Sequence, residues 1–166
     1  DKFDYCGNDS CLMRQSVMGG AKACSAACLG GGSCTLACPQ GAIRVRDGVA
    51  SVDKSICTSC GACIHKCPRA LIERIPVSAP VYVACSNRCR AKDVMNACKV
   101  GCIGCGLCAR NCPNGAITMQ DNLPVIDYAK CDGCKTCVAK CPRKIIREHN
   151  APPRVKKQKA PAKTEK

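Results

Sequence analysis

Three stretches of the chain repeat one spacing of cysteines that ends on a proline. They are Cys57-Thr-Ser-Cys60-Gly-Ala-Cys63-Ile-His-Lys-Cys67-Pro68, Cys102-Ile-Gly-Cys105-Gly-Leu-Cys108-Ala-Arg-Asn-Cys112-Pro113 and Cys131-Asp-Gly-Cys134-Lys-Thr-Cys137-Val-Ala-Lys-Cys141-Pro142. Three thiolates in so tight a loop can each reach a different iron of a cubane. The fourth is directed at a second cluster nearby. Glycines at 61, 104, 106 and 133 let backbone amides approach the sulfurs. A zinc ribbon needs two CxxC pairs and gives no reason for a third and fourth cysteine before proline. Disulfides fit no better, because the 21 cysteines are an odd number and CxxC steps are too tight for general cross-linking. A reducing compartment is therefore expected.

Exchange of the fourth ligand between neighbouring motifs sets the expected iron ligands. Cys102, Cys105, Cys108 and Cys141 form one set, Cys131, Cys134, Cys137 and Cys112 a second, and Cys57, Cys60, Cys63 and Cys38 a third. The fourth set is irregular, because Cys28-Leu-Gly-Gly-Gly-Ser-Cys34-Thr-Leu-Ala-Cys38-Pro39 carries Gly31 where the later copy has Cys105. Either Cys24, about one helical turn from Cys28, completes Cys28, Cys34 and Cys67 to hold [4Fe-4S], or three ligands hold [3Fe-4S]. The spacing favours Cys24, although its counterpart Cys98 sits where a full ligand set already exists. Four clusters are expected. Cys6, Cys11, Cys85, Cys89 and Cys98 remain, either as buried thiols acting as small hydrophobes or as part of a fifth cluster completed from elsewhere.

The elements that must position these thiols occur twice. A shift of 74 residues superposes Cys11, Cys24, Cys28, Cys34, Cys38, Cys57, Cys60, Cys63 and Cys67 on Cys85, Cys98, Cys102, Cys108, Cys112, Cys131, Cys134, Cys137 and Cys141. Between the cysteine runs lie "AIRVRDGVASVD" and "AITMQDNLPVID", each two short strands about a turn, at Asp47-Gly48 and Asp121-Asn122. The expected fold is α+β, with tandem two-cluster bacterial ferredoxin-like modules stabilised by their clusters. Its parts are a leader at 1–23, a first module at 24–75, a linker at 76–97, a second module at 98–149 and a basic, disordered tail at 150–166. Within the linker, "VYVAC" reads as a strand and the polar stretch to Ala97 as a helix.

Composition agrees with inorganic support. Without the 21 cysteines, about 55 apolar residues remain among 166, with one Phe, three Tyr and no Trp, which is a thin core for two modules. The formal charge of +14 falls to about +6 once four clusters, each with four thiolates, are counted at about two negative charges each. A basic surface favours an acidic partner or anionic headgroups over nucleic acid. Arg44, Arg46, Arg69, Arg74, Arg88, Arg90, Lys92, Arg110, Arg143, Lys144 and Arg147 are read either as a solvated face or as a docking patch for an acidic redox carrier. His65 and His149 read as solvated residues. No phosphate loop, triad or carboxylate pair stands out, so no substrate-converting site is expected. No apolar run reaches the 18 residues of a membrane span.

"GGAKACSAACLGGGSCTLACPQGAI" (Gly19 to Ile43) and "VYVACSNRCRAKDVMNACKVGCIGCGLCARNCPNGAITMQDNLPVIDYAKC" (Val81 to Cys131) resemble the cluster-bearing part of the B subunit of the Rnf complex, a membrane-bound ferredoxin:NAD oxidoreductase. The likeness covers about residues 5–148. It implies an electron wire that takes electrons from reduced ferredoxin or flavodoxin and passes them to other subunits of an ion-pumping complex. It also implies a place on the cytoplasmic side of the membrane, peripheral or held by an anchor outside this sequence, and no nucleic-acid partner. The family's N-terminal membrane helix and the cluster motif near it have no counterpart here. Rival readings are a cluster subunit of a soluble hydrogenase, formate dehydrogenase or heterodisulfide reductase assembly, and a zinc-stabilised basic module that binds nucleic acid.

Overall fold

The computed structural model describes residues 1–149, and the expected tail at 150–166 lies outside the described residues. Six short helices and six short strands follow one another: α1 (Cys11–Ser16), α2 (Ser33–Leu36), β1 (Ile43–Arg46), β2 (Val49–Val52), α3 (Ala62–Lys66), β3 (Val81–Val83), α4 (Ala91–Ala97), α5 (Leu107–Arg110), β4 (Ile117–Gln120), β5 (Leu123–Ile126), α6 (Thr136–Lys140) and β6 (Ile146–Glu148). The 74-residue shift carries α2, β1, β2 and α3 onto α5, β4, β5 and α6. Each half thus repeats one α-β-β-α unit, an α+β arrangement.

The two hairpins form where turn chemistry requires them. Asp47 and Gly48 have φ of 50° and 72°, and Asp121 and Asn122 have 46° and 64°, the left-handed pair that a two-residue hairpin with native twist demands. Antiparallel pairing runs from Ile43 opposite Val52 to Arg46 opposite Val49, and from Ile117 opposite Ile126 to Gln120 opposite Leu123. Each hairpin turn also supports a cluster loop. A Cβ on Gly30 would meet Gly48 O at 2.9 Å, and one on Gly104 would meet Asn122 O at 3.0 Å. Both glycines have positive φ, +70° and +63°. Gly104→Ala is therefore expected to cost about 1–3 kcal/mol through strain and crowding, read as a lower midpoint in anaerobic denaturant unfolding.

The halves differ in one sheet. β3 and β6 pair antiparallel, Val81 opposite Glu148 and Val83 opposite Ile146. The corresponding first-half positions, Gly7-Asn8-Asp9 and Ile72-Glu73-Arg74, form no strand among the described residues. The sequence explains this: Val-Tyr-Val is a strand former, whereas Gly, Asn and Asp are depleted from strands. Residues 76–97, expected as a linker, thus supply a strand to the second module, and Val81 is 1% exposed within its core. That core joins Val81, Ile117, Leu123, Ile126, Ile145 and Ile146 to Cys102, Cys108 and Cys137. The helix expected before Ala97 is α4, with Val94 fully buried.

The leader is likewise part of the fold. α1 buries Cys11, whose N–H donates to Ser33 Oγ at 2.9 Å, and Arg14 donates to Leu29 O at 3.1 Å. No helix among the described residues is long and apolar enough to cross a membrane.

Candidate metal centres

Each cysteine motif becomes a loop that turns into a short helix. α2, α3, α5 and α6 all start from a left-handed residue, Gly32, Gly61, Gly106 and Lys135. The motif's third cysteine lies in the helix and its fourth just beyond it. α2 packs on α3 and α5 on α6, which carries a fourth cysteine across to the neighbouring loop.

That crossing is clearest in the second half. Cys102, Cys105, Cys108 and Cys141 line one cleft, with Met119 and Ile145 also in its wall. Burial pushes the Cys102 thiol up, and the neighbouring thiols of Cys85, Cys108 and Cys141 raise it further. Cys108 is raised in the same way, by burial and then by Cys105 and Cys141. At the second loop, burial pushes Cys137 up to about 11, with added repulsion from Cys131 and Cys134. In the first half, Cys63 is raised by burial and then by Cys57 and Cys38, so the fourth cysteine of one motif stands beside the loop of the next. Cys57 and Cys60 are exposed.

At the irregular site, burial and then the thiols of Cys11 and Cys28 raise Cys34. Cys24, expected to complete this set, accepts a hydrogen bond on its sulfur from Asn87 Nδ2 at 3.2 Å. Asn87, 3% exposed, comes from the second half of the chain, and its Oδ1 accepts the Cys89 N–H at 2.8 Å. Of the other surplus thiols, Cys85 accepts the Cys102 N–H at 3.4 Å, Cys98 lies against Gly101, and Cys6 and Cys89 are exposed.

The donor set suits a polynuclear iron core. Burial and then neighbouring thiols raise Cys34, Cys63, Cys102, Cys108 and Cys137, a cost relieved when iron binds them as thiolates. Backbone amides are also aimed at sulfur: Ala42 N to Cys38 at 3.3 Å, Leu71 N to Cys67 at 3.4 Å and Ile145 N to Cys141 at 3.4 Å. Such bonds favour the charged sulfur and tune reduction potential. Among the described residues, no three Cys, His, Asp or Glu side chains converge as a single-ion site requires. The thiols of Cys102, Cys105, Cys108 and Cys141 line a shared cleft and would each hold one iron of a cubane bound there.

Two arginines missed as site residues brace these loops. Arg69 Nη1 donates to Cys24 O at 3.2 Å and Ala27 O at 2.8 Å, and Nη2 donates to Gly19 O. Arg143, its counterpart, donates to Cys98 O at 2.6 Å and Gly101 O at 3.1 Å. Each follows the Cys-Pro of a final ligand and grips the loop ahead of Cys28 or Cys102. They are therefore not free members of the expected docking patch. The available signal was the Cys-Pro-Arg recurring in register at 67–69 and 141–143. Arg143→Ala is expected to cost about 1.5–3 kcal/mol, the loss of hydrogen bonds from a charged donor. Lysine should not restore it, since a single ammonium cannot reproduce the fork. Denaturant unfolding of both variants checks this.

Sequence-family models for 4Fe-4S dicluster domains match residues 21–68 and 101–145. Among curated proteins, the B subunit of the Na(+)-translocating ferredoxin:NAD(+) oxidoreductase complex of Acetobacterium woodii is 41% identical over 132 residues, 79% of this chain and 40% of that protein. The B subunit of the ion-translocating oxidoreductase complex of Methanosarcina acetivorans is 42% identical over 130 residues, 78% of this chain and 49% of that protein. The B subunit of the proton-translocating ferredoxin:NAD(+) oxidoreductase complex of Clostridium ljungdahlii is 43% identical over 130 residues, 78% of this chain and 46% of that protein. The chain thus spans less than half the length of these relatives.

Proposed function

The chain belongs with the iron-sulfur B subunits of Rnf-type ion-translocating oxidoreductases, and from that premise we propose that it is a wire of four clusters carrying single electrons between a soluble donor and the other subunits of such a complex. The observation that carries this reading is the cleft in which Cys141, from the last motif, joins Cys102, Cys105 and Cys108. A ligand exchanged between motifs binds neighbouring loops into one rigid unit, and electron relay needs neighbouring centres held close.

The clusters, when bound, supply the one-electron exchange. The chain supplies the thiolates, the amide hydrogen bonds to sulfur and the burial that sets potential. Spacing gives three ligand sets, Cys102, Cys105, Cys108 and Cys141; Cys131, Cys134, Cys137 and Cys112; Cys57, Cys60, Cys63 and Cys38, and the thiol neighbours of Cys102 and Cys63 support the first and the third. The fourth set contains Cys28, Cys34 and Cys67. A reduced ferredoxin or flavodoxin, itself acidic, fits the basic charge that remains after cluster loading. The names of the relatives favour an ion-translocating assembly over a soluble hydrogenase-type one. They favour a place at the membrane, and the reading puts this part of the chain on the cytoplasmic face, where a soluble donor can reach it.

Anaerobic metal analysis tests the reading. About 16 iron and almost no zinc per chain are expected, with rapid reduction by a reduced ferredoxin that slows as salt rises. A colourless, zinc-loaded protein would refute it.

A further inference from the structure

We propose that Cys11, from the leader helix, is the fourth iron ligand of the irregular site, completing Cys28, Cys34 and Cys67 in place of the residue missing at position 31. The inference rests on the four-cluster reading above and deepens it. In the second half, the matching loop carries Cys105 at this point. In the first half, Gly31 stands there because another segment of chain occupies the space. A Cβ on Gly31 would lie 2.6 Å from Asp9 O and 2.8 Å from Cys11 N. Backbone that close excludes any side chain at 31, cysteine included, and brings Cys11 to the loop instead.

Two further observations tie Cys11 to the site. Its N–H donates to the hydroxyl of Ser33, the residue before Cys34. Both thiols are buried, Cys11 at 8% exposure and Cys34 at 7%.

The rival Cys24 presents its sulfur to Asn87 Nδ2 and its carbonyl to Arg69, whereas it is the Cys11 backbone that stands at Gly31. The second half shows what a spare thiol does when the set is complete: Cys85, the counterpart of Cys11, accepts the Cys102 N–H through sulfur. Glycine at 31 and a buried cysteine at 11 are thus two parts of one substitution, in which a ligand from the leader replaces a ligand from the loop. On binding iron, the Cys11 thiol releases its proton to solvent and the thiolate takes the open coordination position.

The test compares Cys11→Ala and Cys24→Ala chains, purified and reconstituted anaerobically, by iron content and by EPR of the oxidised protein. Cys11→Ala is expected to lose between one and four of about 16 irons and, where three irons stay, to show the signal of an oxidised three-iron cluster absent from the parent. Cys24→Ala should keep the parent's iron and spectrum. Should Cys11→Ala fail to fold, Cys11→Ser keeps the side-chain size, and a changed spectrum at one cluster out of four is expected from its weaker oxygen ligand. Loss of iron from Cys24→Ala with Cys11→Ala and Cys11→Ser intact would overturn the inference, as would full iron and an unchanged spectrum in all three. A parent chain lacking iron would instead refute the four-cluster reading itself.

Discussion

A Cys141→Ala chain is expected to hold about four fewer iron atoms than the parent's roughly 16 and to lose the ordered fold of its second half. Cys141 faces Cys102 and Cys108 across the cleft, its sulfur accepts the Ile145 N–H, and the chain beyond it runs through Arg143 into β6. Alanine leaves three thiols lining that cleft. Structural metal sites in small domains contribute on the order of 10 kcal/mol, whereas a whole domain holds a margin of about 5–15 kcal/mol. The apolar core includes Cys102 and Cys108 themselves, so it cannot close over the gap. Iron analysis and anaerobic thermal melts followed by circular dichroism measure both effects. Cys89→Ala, at an exposed thiol outside the four sets, should change neither. A Cys141→Ala chain with parental iron and an unchanged melt would show that another residue completes the site.

The features legible in the sequence are those written in local chemistry. Asp47-Gly48 and Asp121-Asn122 can be read as hairpin turns because two adjacent left-handed residues suit few side chains. The cysteine spacing can be read as cluster loops because thiolates must reach several irons within a few residues. The matches to 4Fe-4S dicluster domains at 21–68 and 101–145 follow the same motifs. Contacts between distant segments carry no such mark. β3 looks like part of a linker until it pairs with β6, more than 60 residues later. Arg69 and Arg143 look like surface cations because a guanidinium reaching a carbonyl leaves no periodic trace. Asn87 bridges to Cys24 for a reason visible only once the halves are folded together. The 74-residue register could have revealed the arginines, since they recur in it. It could not have revealed Asn87, whose counterpart is Met13.

The same register leads to the second large effect, an asymmetry between equivalent residues. Ile146→Ala is expected to cost about 2–5 kcal/mol, in the range for truncating a fully buried isoleucine, because Ile146 is 1% exposed in the core between β3 and β4–β5. Ile72, its counterpart, lies where no strand forms and is only half-buried, so Ile72→Ala should cost clearly less. The β2 hairpin strand agrees: Val49 is 55% exposed, while Leu123 at the equivalent place is 8% exposed. The first half thus draws less of its stability from apolar burial and correspondingly more from its clusters and from the leader packed on Ser33 and Leu29. Denaturant unfolding of the two variants, with clusters intact and under anaerobic conditions, reads this difference. Equal losses would mean that the first half has a core as complete as the second. A large loss confined to Ile146→Ala would make chelation the more selective way to unfold the first half, with iron release and loss of its helical signal occurring together.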